Sequence, residues 1–128
     1  MGPALAQNGL LSGRRVLVVE DDFLIAEALC ASLEFAGAVV VGPLGSVSDA
    51  IRLLRQDDPA IDIAVLDVDL HGEKSYAVAD VLAERGVPFL FTTGYNVDAV
   101  DVAYRDYPRC EKPLSERALF AALQPMTG

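Results

Sequence analysis

The chain holds little that would staple, anchor or send it elsewhere. It has two cysteines in 128 residues. Cys30 and Cys110 lie far apart with no C-x-x-C spacing, so a disulfide framework is excluded and two reduced core thiols of a cytosolic protein are expected. No apolar run approaches the ~20 residues of a membrane span, so no membrane partner is expected. Residues 1–11 carry no basic stretch followed by an apolar one, which excludes a signal peptide and leaves a loose arm. There is no internal repeat, no low-complexity tract and no linker to a second unit. Basic residues are few: 10 Lys and Arg stand against 19 Asp and Glu, for a net charge of −9. A domain this acidic repels a phosphate backbone, so a nucleic-acid partner is not expected.

What is present fits one globular domain. Apolar residues make up 52% and charged ones 23%. A chain of this length buries roughly two thirds of its unfolded surface, enough for one core without staples. The expected division is an arm over 1–13, a domain over 14–124 and a tail over 125–128.

Five strand–helix units follow one another. Val16-Leu17-Val18-Val19 is an unbroken apolar run, as in a strand buried on both faces. Asp22 can cap the helix after it, where Ile25, Ala28, Leu29 and Leu33 share a face and Gly37 marks the end. A second strand spans 39–41 and is stopped by Gly42-Pro43. Ser46 or Ser48 caps a helix with Val47, Ala50, Ile51 and Leu54 inward. The third strand spans 61–66. A helix over 75–85 follows, with Val78, Val81 and Leu82 inward. Phe89-Leu90-Phe91 is the fourth strand. Residues 96–104 are weakly periodic, which predicts a short or mobile fourth helix. A fifth strand over 109–111 precedes a last helix over 115–123, with Leu119, Ala122 and Leu123 inward. Strands alternating with helices imply right-handed crossovers and a parallel five-stranded sheet with helices on both faces.

In such a sheet, ligands bind beyond the carboxyl ends of the strands. Four of those ends carry chemistry here: Glu20-Asp21-Asp22, Asp67, Thr92-Thr93-Gly94 and Glu111-Lys112-Pro113. With the first and third strands adjacent, Glu20, Asp21 and Asp67 come within roughly 5 Å of one another. At an effective dielectric of about 20, each such pair of like charges costs roughly 3 kcal/mol. Either a carboxyl group holds its proton or a cation neutralises the set. Oxygen-only donors with room for water suit Mg²⁺ rather than zinc. Asp67, at the end of a buried strand, is aimed to attack phosphorus and form an acyl phosphate. Lys112 can place a charge on a phosphoryl oxygen, and Thr93 can offer a hydroxyl to one. Read singly, Glu20-Asp21-Asp22 is a solvated helix cap, Thr93-Gly94 a turn and Lys112 a lysine reaching past a strand end. Pro113 leaves its peptide isomer open.

Together these residues resemble the receiver domain of two-component response regulators, over nearly the whole length from Arg15 to Leu123. The resemblance implies the (βα)5 flavodoxin-like fold. It implies that Glu20 and Asp21 are the acidic pair, Asp67 the phosphoacceptor, Thr93 the switch hydroxyl and Lys112 the lysine that Pro113 follows. Mg²⁺ would be bound by Asp21, Asp67 and the Asp69 backbone carbonyl, with Glu20 acting mainly through water. A histidine kinase or phosphotransfer protein would be the donor. The product would be a cytoplasmic signalling protein, monomer or weak dimer, that catalyses only its own phosphorylation and slow dephosphorylation. A protein partner would receive the output on the fourth helix, fifth strand and fifth helix, or the domain would act as a phosphate sink.

Two departures stand out. Arg109 occupies the place of the family's aromatic rotamer switch, and the stretch from Thr93 to Lys112 is short. Phe91-Thr92-Thr93-Gly94-Tyr95 resembles the signature of the stand-alone subgroup called FAT GUY receivers, which tend to work with HWE-type or related kinases. In that reading Thr93 and the Gly94-Tyr95 turn carry the switch, with Tyr95 also an interface aromatic. His71 is the only histidine and is not expected to be a phosphodonor. Tyr104 and Tyr107 are expected on the surface between the last strand and helix. Two other readings compete. Asp67-Val68-Asp69 has the spacing of haloacid-dehalogenase-like phosphatases, although Leu70 follows and little chain remains for a cap. A phosphorylation-independent docking module is the other, kept open by Arg109.

Overall fold

Alternate residues of the first strand part to opposite sides: Val16 and Val18 enter one buried cluster, Leu17 and Val19 the other. A strand covered on both faces needs apolar side chains at every position, which is why this segment reads as an unbroken run. The structure is a computed structural model that describes residues 9–56, 60–94 and 100–127.

The elements run β1 (Arg15–Val19), α1 (Phe23–Phe35), β2 (Val39–Leu44), α2 (Val47–Leu54), β3 (Ile63–Asp67), β4 (Asp69–Leu70), β5 (Glu73–Lys74), α3 (Tyr76–Glu84), β6 (Phe89–Thr93), β7 (Arg109–Glu111) and α4 (Glu116–Leu123). Single 3₁₀ turns lie at Val102–Tyr104 and Gln124–Met126. The sheet order is β2-β1-β3-β6-β7, parallel throughout. This is the expected (βα)5 flavodoxin-like topology. Leu29 and Leu33 of α1 and Leu119 and Leu123 of α4 cover one face with Val16, Val18 and Leu90. Leu54 of α2 and Leu82 of α3 cover the other with Leu17, Leu66 and Phe91. Because β1 lies between β2 and β3, the chain reverses its direction of travel across the sheet there. The crevice at such a switch point opens beyond the ends of β1 and β3. No helix among the described residues is long and apolar enough to cross a membrane.

Local chemistry explains the helix starts. Asp22 accepts from the Ile25 N–H, Ser46 from Asp49 and Ser115 from Ala118. Each satisfies an N–H that the first turn leaves without a partner. Gly37 ends the α1 connection at φ 95°, and a Cβ there would lie 2.9 Å from Ser12 Cα. Only glycine fits that close approach in a left-handed conformation.

Several expectations change. Gly42 and Pro43, expected to stop the second strand, lie within β2. β2 is an edge strand, where a missing N–H can face outward, and the register shifts between Leu17 and Val19 to accommodate it. The third strand starts two residues late, at Ile63, and extends to Asp67. The β4–β5 hairpin was not expected. In α1 the inward residues are Ala26, Leu29 and Leu33, with Ala28 exposed. Ala79 and Phe120 are buried, whereas Val81 and Ala122 are only half-buried. Of the segment 96–104, residues 96–99 lie outside the described residues, and Val102–Tyr104 forms one 3₁₀ turn. Tyr104 and Tyr107 do not sit between the last strand and helix. They pack with Phe91 on the α3 side of the sheet, where Tyr104 stacks on Tyr76.

The arm expected over 1–13 also changes at its end. Leu11 is fully buried against the α1–α4 face, and its N–H donates to the Ala36 carbonyl. Two adjacent leucines in a polar and glycine-rich stretch give no periodicity to detect. Leu11→Ala is therefore expected to lower stability by about 2–4 kcal/mol in denaturant unfolding. A loss near zero would show that the segment contributes nothing to the core.

Candidate functional site

β1 ends at Val19, and the next two residues carry the first carboxylates. Glu20 is held inward: its N–H donates to the Leu44 carbonyl, and its Oε2 accepts from the Asp22 N–H at 3.0 Å. Asp21 points to the neighbouring loop, where its Oδ2 accepts from the His71 N–H at 2.8 Å and lies 3.2 Å from the ring Nδ1. β3 ends on Asp67, which is buried, and its Oδ1 accepts from the Asp69 N–H at 3.1 Å. One oxygen from each of Glu20, Asp21 and Asp67 falls within a 4.8 Å cluster. The spacing expected from the sequence is present.

Lys112 enters from the end of β7. Its N–H donates to the Thr93 carbonyl at 2.7 Å, which ties β7 to β6 and aims the side chain inward. Its Nζ donates to Asp67 Oδ2 at 2.8 Å and lies 3.0 Å from Glu20 Oε1. The Lys112–Pro113 peptide is cis. Thr93 closes β6; it is buried, and its Oγ1 has no hydrogen-bond partner among the described residues. A buried hydroxyl without a partner is uncommon and points to a missing acceptor. Asp21, Asp67, Asp69, Thr93 and Lys112 line one cavity of about 490 Å³.

The electrostatics follow from this crowding. The Glu20 carboxyl is pushed up to about 7, chiefly by burial; the Asp22 N–H and Lys112 oppose the rise, and Asp67 adds to it. Burial lowers the Lys112 ammonium, but the hydrogen bonds and charges of Asp67 and Glu20 outweigh it and the net shift is upward. The Glu20, Asp21 and Asp67 cluster thus has more carboxylates than Lys112 alone can neutralise. The donors are all oxygen and the cavity is open to water, so the set fits Mg²⁺ better than zinc.

A pH dependence follows. The folded chain binds a proton at Glu20 from the ordinary carboxylate value, 4.5, up to about 7, whereas the unfolded chain does not. Stability of the metal-free protein therefore falls as pH rises through that window, by about 3 kcal/mol from this group, and is flat above it. Mg²⁺ is expected to remove the decline, because it binds the ionised form. Unfolding titrations at pH 5, 6, 7 and 8, with Mg²⁺ and with a chelator, check this. A metal-free stability that rises from pH 5 to 8 contradicts it.

The remaining expected residues are placed unequally. Asp69 lines the cavity, but its carboxylate turns to its own hairpin, accepting from the Gly72 N–H at 2.7 Å and lying 3.9 Å from Lys74 Nζ. It is not held as a second acid beside Asp67, which removes the geometry the hydrolase reading needs. Pro113 is exposed and lines a neighbouring apolar groove with Leu24, Leu29 and Leu119. Arg109 is exposed, and its guanidinium reaches the Arg105 carbonyl at 3.4 Å, away from the cavity. Tyr95 lies outside the described residues. Sequence reasoning missed two contacts. The bonds of His71 to Asp21 arise from a left-handed backbone at φ 51°, which no pattern announces. Ser75 is fully buried with its hydroxyl on the Asp67 carbonyl, and a serine before a helix reads only as a cap.

No protein-family model matches the chain, and no curated protein does. Solved structures do. The solution structure of SdrG from Sphingomonas melonis Fr1 is 40% identical over 91% of this chain and 98% of that one, with a TM-score of 0.79. The signal receiver domain of a modulated diguanylate cyclase from Desulfovibrio desulfuricans G20 is 29% identical over 91% of this chain and 94% of that one, with a TM-score of 0.77. A response regulator receiver protein from Sinorhizobium medicae WSM419 shares the fold at 24% identity, covering 91% of this chain and 96% of that one, with a TM-score of 0.78.

Proposed function

Because the chain belongs to the response regulator receiver family, we propose that it accepts a phosphoryl group on Asp67 from a histidine kinase or phosphotransfer protein and loses it slowly to water. The observation that carries this is the convergence on Asp67: Lys112 Nζ at 2.8 Å, two further carboxylates within 4.8 Å, and on the same cavity the Thr93 hydroxyl, without a partner among the described residues.

The chain's own groups have separable parts. An Asp67 carboxylate oxygen forms the new bond to phosphorus while the donor's bond to phosphorus breaks and its electron pair leaves with the donor. Lys112, already in contact with Asp67, turns its charge to a phosphoryl oxygen. Thr93 Oγ1 donates to another, which supplies its missing acceptor. Mg²⁺, held by Asp21, Asp67 and the Asp69 carbonyl with Glu20 in support, would neutralise negative charge on the transferred group. Water later attacks phosphorus and the Asp67 carboxylate leaves. Pre-aimed charge of this kind is effective because it costs no reorganisation during the reaction.

The output is signalling rather than turnover of a separate substrate. We place Thr93 and the Gly94-Tyr95 turn in the switch, an HWE-type kinase as donor, a protein partner as receiver of the signal and the cytoplasm as location. Intact-protein mass after incubation with acetyl phosphate tests the reading. One phosphoryl adduct is expected with Mg²⁺ and none with a chelator. No adduct at any Mg²⁺ concentration or from any kinase favours a docking module, and turnover of a generic phosphomonoester favours a hydrolase.

A further inference from the structure

One helix start breaks the pattern of the others. Asp22, Ser46 and Ser115 aim a side-chain oxygen at an N–H of the helix they precede. Ser75 holds the same position before α3 and makes no such bond. Its hydroxyl turns back and donates to the Asp67 carbonyl at 2.6 Å, while its N–H donates to the Val68 carbonyl at 2.9 Å. Ser75 is fully buried, so water does not substitute for either bond. A residue type that favours capping has given up its cap to grip the backbone of the phosphoacceptor.

The next residue grips a different segment. The Tyr76 ring stacks on Tyr104, with centroids 4.2 Å and planes 5° apart. Its Oη accepts from the Asp101 N–H at 2.8 Å. Tyr104 Oη in turn donates to Asp80 Oδ1, one turn further along α3, at 2.8 Å. Val100 is fully buried, and Arg105 Nε donates to its carbonyl at 3.0 Å. The segment from Val100 to Arg105 is thus fastened to the first turns of α3. Phe91, two residues before Thr93, meets both rings edge-on at 6.1 and 6.3 Å.

We propose that Ser75 and Tyr76 form a link between the phosphoacceptor and residues 100–105: Ser75 positions Asp67, and the first turn of α3 carries a change at Asp67 to the segment that Tyr76 holds. Adjacent residues at a hydrogen-bonded helix start leave little slack between the two grips. The exposed Arg109 cannot serve as an inward aromatic, whereas the Tyr76–Tyr104 pair already sits over Phe91 on the sheet face. The inference rests on the proposed phosphorylation of Asp67 and adds the route by which it is felt.

The test compares wild type, Ser75→Ala, Tyr76→Phe and Tyr104→Phe by amide hydrogen exchange, with and without acetyl phosphate and Mg²⁺. In wild type, phosphorylation changes exchange at the Asp101 and Tyr104 amides. In Ser75→Ala the adduct still forms, more slowly, and that change shrinks about fivefold or more, the scale of a typical coupling. Disturbing the far grip in Tyr76→Phe and Tyr104→Phe is expected to alter the lifetime of the Asp67 adduct, by about fivefold where the coupling is felt in the hydrolysis transition state, with unchanged unfolding midpoints. A merely structural Ser75 would shift the midpoint and leave the response of 100–105 intact; that result overturns the link. If Ser75→Ala does not fold, the tyrosine variants decide, and unaltered lifetimes overturn it. If wild type takes no phosphoryl group, the functional reading fails separately. The link then stands or falls on whether Ser75→Ala speeds exchange at Asp101 and Tyr104 in the unmodified chain while α2 amides stay as they were.

Discussion

Asp67→Asn takes up no phosphoryl group under conditions that label the wild type. The expected fall in labelling rate is about four orders of magnitude or more, the scale seen when a nucleophile is removed from a site whose other parts remain. An amide oxygen is a poor nucleophile, and the neighbouring groups stay in place. The substitution should leave folding intact. Asn keeps an oxygen for the Asp69 N–H that now bonds Asp67 Oδ1, and it removes one of three crowded carboxylates. What it loses is the partner of Lys112 Nζ, which keeps Glu20 at 3.0 Å. Intact mass and a melting curve on the same sample check both halves. An adduct that persists in Asp67→Asn would move the acceptor to another carboxylate on the cavity, Asp21 or Asp69.

Lys112→Met separates charge from structure. The lysine is the counter-charge for two buried carboxylates, at 2.8 and 3.0 Å. Removing one partner of a buried pair typically costs about 3–5 kcal/mol. The cost here is expected to depend on pH. Lys112 pulls the Glu20 carboxyl down from the value burial would give it. Without the lysine Glu20 holds its proton to higher pH, so the metal-free variant loses most stability at pH 8 and less at pH 6. Mg²⁺ should restore part of the loss at pH 8 and should bind at least as well as to wild type, since a competing cation is gone. Phosphoryl transfer is expected to fall by about 10²–10³ even with the metal bound, as when one donor to a developing negative charge is lost. Unfolding at two pH values, Mg²⁺ titration and labelling rate together check it. A variant that folds, binds Mg²⁺ and labels at the wild-type rate removes Lys112 from the chemistry.

Most of the layout was legible because it rests on short-range rules. The doubly buried strands appear as unbroken apolar runs, and Asp22 and the Ser46/Ser48 pair announce their helices because a cap must be within three residues of the N–H it serves. Helix faces were less legible: the short side chains of Ala26, Ala28 and Ala79 carry little hydrophobic signal, so burial depends on what the rest of the helix packs against. Leu11 was missed for the same reason, since its place is set by Ala36 and not by its neighbours in sequence. Strand ends were legible only to within two or three residues, as with Ile63 and Leu44.

The sequence by itself determined which groups stand at the strand ends: Glu20, Asp21, Asp67, Thr93 and Lys112 follow directly from where each apolar run stops. That is a consequence of chain periodicity and needs no knowledge of distant contacts. Tertiary structure alone decided the order β2-β1-β3-β6-β7, which brings β1 and β3 side by side and turns separate acids into one crowded site. It also decided the contacts of side chains with several potential partners. Ser75 bonds Asp67 instead of capping α3, His71 bonds Asp21, and Tyr104 stacks on Tyr76. A hydroxyl, an imidazole or a ring has many local options of similar energy, and only packing from residues remote in sequence selects among them.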